Sequence, residues 1–231
     1  MQRRDFLGLI CGGLAWPVAA HAQQQSMPLI DFLSSRSPEE SKPHVTGFLR
    51  GLEASDIPTE RPALFPITFI ASDPLSEGVI ASLNHPGANI TGIDLMSGEL
   101  TGKRLGLLAQ LLPACSVVGF LTNTKGVQSS LRVSDFRLAA AALGRETFVV
   151  GASTDAEIDD AFSTLVQKRI GGLVVENDPY FDSERERLIR LAGQRSIPAI
   201  YHIREFPVAG GLMSYGANLV DAYNQMGVLV G

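Results

Sequence analysis

Short apolar runs rich in β-branched residues alternate with longer stretches of helical periodicity along nearly the whole chain, and nothing else in the sequence restricts the fold as much. "PLIDFLSS" reads as a strand and "HVTGFLRGLEA" as a helix; "ITFIASD" is a second strand, and "PLSEGVIASL" a helix with its proline in the first turn. "NITGIDL" precedes the helix "GELTGKRLGLLAQLL", which Pro113 stops. "SVVGFLTN" precedes "SSLRVSDFRLAAAALG", an amphipathic helix with Gly144 placed for its C-terminal cap. "ETFVVGAS" leads into "DAEIDDAFSTLVQKR", with Ser153 or Thr154 as the N-cap. "IGGLVVEND" precedes the charged helix "SERERLIRLAGQR", "IPAIYHIREF" precedes "GGLMSYG", and "LVDAYNQMGVLV" closes the chain. Strands this uniformly apolar, separated by helices, belong to α/β proteins with a doubly wound parallel sheet covered on both faces.

Several of the strands end in polar residues. Ser34 and Ser35 follow one, Ser72 and Asp73 the next, then Thr122 and Asn123, Asn177 and Asp178, and Ser214 and Tyr215. Ligands of open α/β sheets lie beyond the carboxyl ends of the strands, so these tips are the candidate site. Each residue alone also reads as an ordinary helix cap.

The front of the chain is of another kind. Arg3 and Arg4 precede an uncharged run from Phe6 to Ala20, and Ala20-His21-Ala22 offers small residues where a signal peptidase reads. The start resembles a twin-arginine export signal. The run is shorter and richer in Gly and Ala than a membrane-spanning helix of about 20 strongly apolar residues. Residues 1–22 are therefore expected to be removed after Ala22.

Without that leader the chain holds 17 basic against 23 acidic residues and no basic stripe, which argues against nucleic acid as a partner. Cys115 is then its one thiol, so no internal disulfide forms, and its place before an apolar strand reads as a small buried residue. The sequence carries no nucleophile elbow, no metalloprotease helix and no phosphate-binding loop, so no catalytic residue is assigned. His44 reads as exposed on a helix, His85 as part of a turn, and His202 as packed or solvent-facing. None has a partner at metal-ligand spacing, and neither a metal nor a cofactor is expected. Glu184, Arg185, Glu186 and Arg187 read as a solvated helix face with its own ion pairs, and Asp159-Asp160 likewise. An exported α/β protein with polar strand tips and no catalytic machinery is most economically a binder of a small solute.

"AWPVAAHAQQ", "IDFLSS", "GVIASLNHPGANITGI", "KRLGLLAQLLP", "DAEIDDAFSTLVQKRIGGLVVENDPYF" and "IPAIYHIREFPVAGGLMSYGANLVDAY" resemble the substrate-binding proteins of ABC-type import systems, in a group with members linked to tryptophan and tyrosine uptake. The resemblance implies a type I periplasmic-binding fold, with two α/β lobes and a ligand enclosed between them by a hinge motion. On that pattern residues 23–113 form the first lobe, 114–216 the second, and 217–231 a helix returning to the first. Against the family's pattern, two strands and two helices of the first lobe are expected to be missing between "HVTGFLRGLEA" and "ITFIASD", and the closing strand after Gly231 as well.

The function implied is capture of a small solute, an amino acid among the candidates, in the periplasm, with an ABC permease of the inner membrane as partner. A decayed paralogue that binds weakly and an exported enzyme of another type are the alternatives; an N-terminal helix-turn-helix is lacking, which argues against a transcription regulator. For an amino-acid ligand, Asp178 or Asp73 would pair with the ammonium, and serine hydroxyls such as Ser34, Ser35 and Ser72 with helix amides would take the carboxylate. Asn123, Asn177 and Tyr215 complete the expected site, and Tyr180 or Tyr201 would stack on an apolar side chain.

The leader makes a direct prediction. Protein recovered from the periplasm is expected to begin at Gln23 on N-terminal sequencing, and an intact Met1 there would refute export by cleavage.

Overall fold

A computed structural model of the chain describes residues 38–54, 67–71, 74, 75, 78, 80–85 and 90–230. The expected leader, the strand "PLIDFLSS", and Ser34, Ser35, Ser72 and Asp73 lie outside the described residues.

Along the described chain the elements are α1 (Pro38–Ala54), β1 (Ile67–Ala71), β2 (Ile90–Asp94), α2 (Thr101–Leu111), β3 (Val117–Thr122), α3 (Ser129–Ala142), β4 (Glu146–Gly151) and α4 (Asp155–Gln167). They continue with β5 (Gly172–Val175), α5 (Pro179–Ser183), α6 (Arg185–Gln194), β6 (Ala199–Tyr201), α7 (Glu205–Val208), β7 (Met213–Ser214) and α8 (Leu219–Val230). The fold is α/β with parallel sheets. β1 and β2 pair in register from Ile67 opposite Ile90 to Ala71 opposite Asp94. The other five strands form one sheet in the order β4-β3-β5-β6-β7, and every pair in it is parallel.

Both faces of the larger sheet are buried, which explains the unbroken apolar runs. With a period of two, Val118 and Phe120 of β3, Val174 of β5 and Ile200 of β6 face one side and meet Leu105 and Leu108 of α2 and Phe136 and Ala140 of α3. There Phe120 and Phe136 stack with ring centres 4.6 Å apart. Leu121, Leu173, Val175, Ala199 and Tyr201 face the other side, against Ile158, Phe162 and Leu165 of α4 and Leu188 and Leu191 of α6. Gly119 keeps that second face close: a Cβ there would lie 2.7 Å from Ile170 Cδ1 and 3.0 Å from Leu165 Cδ2.

The helix ends follow local chemistry. Thr154 caps α4 by accepting from the Glu157 amide at 3.3 Å, and Glu157 Oε2 accepts from the amide of Ser153, one residue before the cap, at 2.6 Å. α3, α4 and α6 all close with a residue at positive φ: Gly144 (64°), Arg169 (51°) and Ser196 (52°). Each is followed by a residue whose amide returns to the helix, Arg145 to Ala140 O at 2.9 Å, Ile170 to Leu165 O at 3.3 Å and Ile197 to Ala192 O at 2.9 Å, the Schellman pattern. Gly144 adopts this conformation without a Cβ penalty, whereas Arg169 and Ser196 carry one.

α1 and α8 pack backbone to backbone. A Cβ at Gly47 or Gly51 would collide with the carbonyls of Val220 and Asn224, and one at Gly227 with that of Phe48. This pair of helices is joined to β1 and β2 through α8. Across the chain α1 also meets α7, where His44 Nε2 lies 3.7 Å from Glu205 Oε1.

Three sequence expectations change here. "PLSEGVIASL" forms no helix among its described residues. Its chain turns instead, with the Gly78 amide donating to Leu75 O at 3.1 Å and Gly78 at φ 71°, a conformation incompatible with a helix interior. His44 is buried rather than exposed, since it lies under Tyr223 with ring centres 5.0 Å apart. Cys115 is half-buried, with its Sγ donating to Val117 O at 3.2 Å.

The central strands of the larger sheet set its stability. β3 and β5 have neighbours on both edges and helices on both faces, so their amides open last. Native-state hydrogen exchange is expected to find the slowest amides within residues 117–175; equal or greater protection in β1 and β2 would contradict this.

Candidate functional site

The strand order fixes where a ligand can sit. The chain leaves β3, crosses by α3 to β4 on one side, and returns by α4 to β5 on the other. The loops after β3 and β5 therefore diverge, and a crevice opens between them, the usual ligand position in open α/β sheets. Thr122 and Asn123 lie at one lip and Glu176, Asn177 and Asp178 at the other.

A hydrogen-bonded network joins the two lips. Oε2 of Glu176 accepts from the Thr122 hydroxyl at 2.6 Å and from the Asn123 amide at 2.8 Å. Asn123 Nδ2 donates to Asp178 Oδ1 at 2.9 Å, and the same oxygen accepts from the Tyr180 amide at 2.8 Å. Asn123 Oδ1 in turn accepts from the Lys125 amide at 3.0 Å, which shapes the loop after β3. Asp178 is thus the N-cap of α5 with Pro179 at its first position, and also the far end of the bridge from Asn123. Its Oδ2 faces Gly126.

Glu176 is buried at the bottom of this crevice. Burial raises its carboxyl above the ordinary glutamate range. The bonds from Thr122 and Asn123 oppose that rise, the neighbouring Asp178 adds to it, and Arg132 in the first turn of α3 opposes it. A carboxylate, an amide, a second carboxylate and a guanidinium thus converge on one crevice.

The remaining expected site residues are placed unevenly. Asn177 is half-buried beside Asp178. Tyr180 is half-buried on α5 with its hydroxyl 3.4 Å from Asp155 Oδ1. Its phenol is pushed up to about 12, first by desolvation and then by the Asp155 and Glu184 carboxylates. Tyr215 is exposed, and its carbonyl accepts from Arg104 Nε at 2.8 Å. Tyr201 stands apart from the crevice: it is buried in the core and stacked on Phe206 at 4.2 Å, and that burial raises its phenol. His202 is packed, with Nε2 2.9 Å from Asp182 Oδ1. Arg187 ties Asp155 and Asp159 of α4 to Glu184, so the charged face of α6 binds its neighbouring helix as well as itself. No group of His, Cys, Asp and Glu among the described residues is arranged to hold a metal ion.

The residues passed over in the sequence are Glu176 and Arg132. Glu176 closes the apolar run "LVVE" and reads as the end of a strand, and Arg132 reads as one charge of an amphipathic helix. The signal available was topological: both fall at the point where the strand order reverses.

Glu176→Ala is expected to lower stability by about 1–3 kcal/mol in urea unfolding, because it leaves the Thr122 hydroxyl and Asn123 amide buried without an acceptor. Glu176→Gln, whose carbonyl oxygen still accepts both, is expected to lose less than half of that.

The sequence profile of the ABC transporter substrate binding protein family matches residues 51–231. A tyrosine-binding protein of Clostridioides difficile (strain R20291) is 30% identical over 161 residues, which is 69% of this chain and 44% of that protein, so the chain spans less than half of that relative. Among solved structures, a conserved domain protein from Vibrio cholerae aligns with TM-score 0.67 at 19% identity, covering 83% of this chain and 78% of that one. An ABC domain in complex with L-Trp from a streptococcus aligns at 0.66 and 17% identity, over 82% of this chain and 79% of the other. A ligand-free, open substrate-binding protein with adhesive properties from Clostridium difficile aligns at 0.56 and 20%, covering 84% and 80%. These likenesses carry the type I periplasmic-binding fold. The profile match extends over most of the chain and takes in both sheets, and the chain belongs to the ABC transporter substrate binding protein family.

Proposed function

We propose that the protein captures a small amino acid, with an aromatic side chain, outside the inner membrane and delivers it to an ABC permease. The observation that carries this reading is the bridge from Asn123 to Asp178 across the switch-point crevice, which presents a carboxylate where a solute's ammonium would sit. The tyrosine-binding relative and the L-Trp complex of the streptococcal domain support the class of solute. No catalytic step is assigned, and no described helix is long and apolar enough to cross a membrane.

In this reading the β1–β2 unit with α1 and α8 belongs to the first lobe (23–113 with the return helix 217–231), and the five-stranded sheet is the second (114–216). The solute enters between them and closure follows as a hinge motion. Asp178 takes the ammonium through Oδ2, while Oδ1 remains bound to Asn123 and the Tyr180 amide. Tyr180 and the exposed ring of Tyr215 flank the side chain, and Asn177 completes the polar rim. Ser34, Ser35, Ser72 and Asp73 are the first lobe's contributions.

A thermal-shift screen of the twenty amino acids tests the reading. A solute at a hundred times its dissociation constant stabilises the folded state by about 2.7 kcal/mol. Stabilisation by tyrosine or tryptophan is the expected result, and none by any amino acid refutes it. Asp178→Asn is expected to change stability by less than about 1 kcal/mol, since asparagine caps helices as well as aspartate does. The same change is expected to weaken solute binding by about 2–5 kcal/mol.

A further inference from the structure

Among the described residues, two connections lead between the β1–β2 pair and the five-stranded sheet: one runs from β2 to α2, the other from β7 to α8. A single side chain holds both. Arg104, the fourth residue of α2, is 1% exposed. Its Nη2 donates to Ser97 O of the first connection at 3.1 Å, and its Nε to Tyr215 O of the second at 2.8 Å. Burial lowers its guanidinium to about 10, so it stays charged at neutral pH, and a charged donor bonds more strongly than a neutral one.

Both connections are shaped for close contact. In the first, Leu95 packs against the core of the five-stranded sheet, Ser97 is buried, and Gly98 leaves the space in which the Arg132 guanidinium lies. Met96 between them stands at φ 48°, with its amide donating to Asp94 Oδ1 at 2.8 Å. Arg169 and Ser196 reach positive φ where they close helices; Met96 closes none, so its strain belongs to the connection itself. In the second connection the Tyr215 amide donates to Tyr201 O at 3.0 Å, a Cβ at Gly216 would collide with His202 O, and Leu219 enters the core of the larger sheet.

Rotation of one lobe on another is absorbed by dihedral changes in the connections between them. Two connections that turn independently permit twisting and sliding as well as closure. A guanidinium bonded to a carbonyl of each couples them, and its planar fork fixes their relative orientation. The approach of His44 to Glu205 lies outside the connections and supplies no such coupling.

Resting on the two-lobe reading of solute capture, we propose that Arg104 is the positioning residue of the hinge. By holding the carbonyls of Ser97 and Tyr215 together, it confines lobe movement to one closing path and keeps Tyr215 at the rim of the crevice.

Spin-label distances measured by pulsed EPR on the full chain, with Cys11→Ser and Cys115→Ser, test this. One label pair joins Leu49→Cys on α1 to Leu138→Cys on α3 and spans the connections. The control pair joins Leu138→Cys to Val166→Cys on α4, both packed with the five-stranded sheet; all three positions are exposed. Arg104→Met removes both bonds, whereas the amide of Arg104→Gln reaches only as far as Nε and keeps the bond to Tyr215. Without solute, the spanning pair of the unaltered protein is expected to give one narrow distribution. Arg104→Met is expected to broaden it roughly twofold and Arg104→Gln less, with the control pair unchanged. Tyrosine or tryptophan is expected to shorten the spanning distance, and to bind Arg104→Met about 10-fold more weakly if a tenth of the molecules remain competent. Melting of the unlabelled variants checks their fold, and Arg104→Gln decides if Arg104→Met does not fold. An unchanged spanning width overturns the proposal. Equal broadening of the control pair, or failure of both variants to fold, marks Arg104 as support for α2 alone and overturns it too. Shortening by tyrosine with no broadening in either variant overturns the clamp and leaves the amino-acid reading standing. Broadening of the spanning pair, with no response of the unaltered protein to either amino acid, upholds the clamp and overturns the amino-acid reading.

Discussion

Glu176 is the constraint on which the crevice depends. One buried oxygen receives both the Thr122 hydroxyl and the Asn123 amide, so the ends of β3 and β5 are held at a fixed separation where their following loops part. The cost of burying a carboxyl is offset by satisfying two groups that would otherwise be orphaned, and that exchange is favourable only with all three in place. From this anchor Asn123 is oriented to reach Asp178, Asp178 sets the start of α5, and α5 carries Tyr180 to the rim. A single acceptor thus orders polar side chains from two separate stretches of sequence.

The sheet behind it works by a different principle. Its two faces are covered by α2 and α3 on one side and by α4 to α7 on the other, so β3 and β5 have no solvent face. Packing of this kind makes the carboxyl edge rigid and leaves adaptability to the loops. The α1–α8 pair is closer still, with glycines letting two backbones touch; α8 meets the smaller sheet and also sends Leu219 into the core of the larger one. The crevice lies at the carboxyl edge of the five-stranded sheet.

Much of this was legible in the sequence. The strands from β1 to β7 were visible because burial on both faces leaves a continuous apolar signature. Gly144 and Thr154 announced their helix ends through residue chemistry alone. Asp178 followed by Pro179 announced a cap, and the structure adds the bridge to Asn123, a contact between residues 55 positions apart that no local pattern encodes. "PLSEGVIASL" failed because apolar spacing mimics a helix while Gly78 turns the chain. His44 was misjudged because its cover comes from Tyr223 and Glu205, distant in sequence. Tyr201 was an attractive stacking residue by type, yet its position within a strand committed it to the core. Arg132 and Arg104 were ordinary helix charges until the topology brought them to one link.

The ends of α4 and α6 have a meaning of their own. Arg169 and Ser196 hold left-handed conformations that glycine adopts more cheaply, and both lie just before β5 and β6, at the amino edge of the sheet. The crevice lies at the carboxyl edge. Conformational strain and the crevice thus occupy opposite poles of one sheet, so evolution or design can raise the melting temperature at one pole without disturbing the geometry of the other.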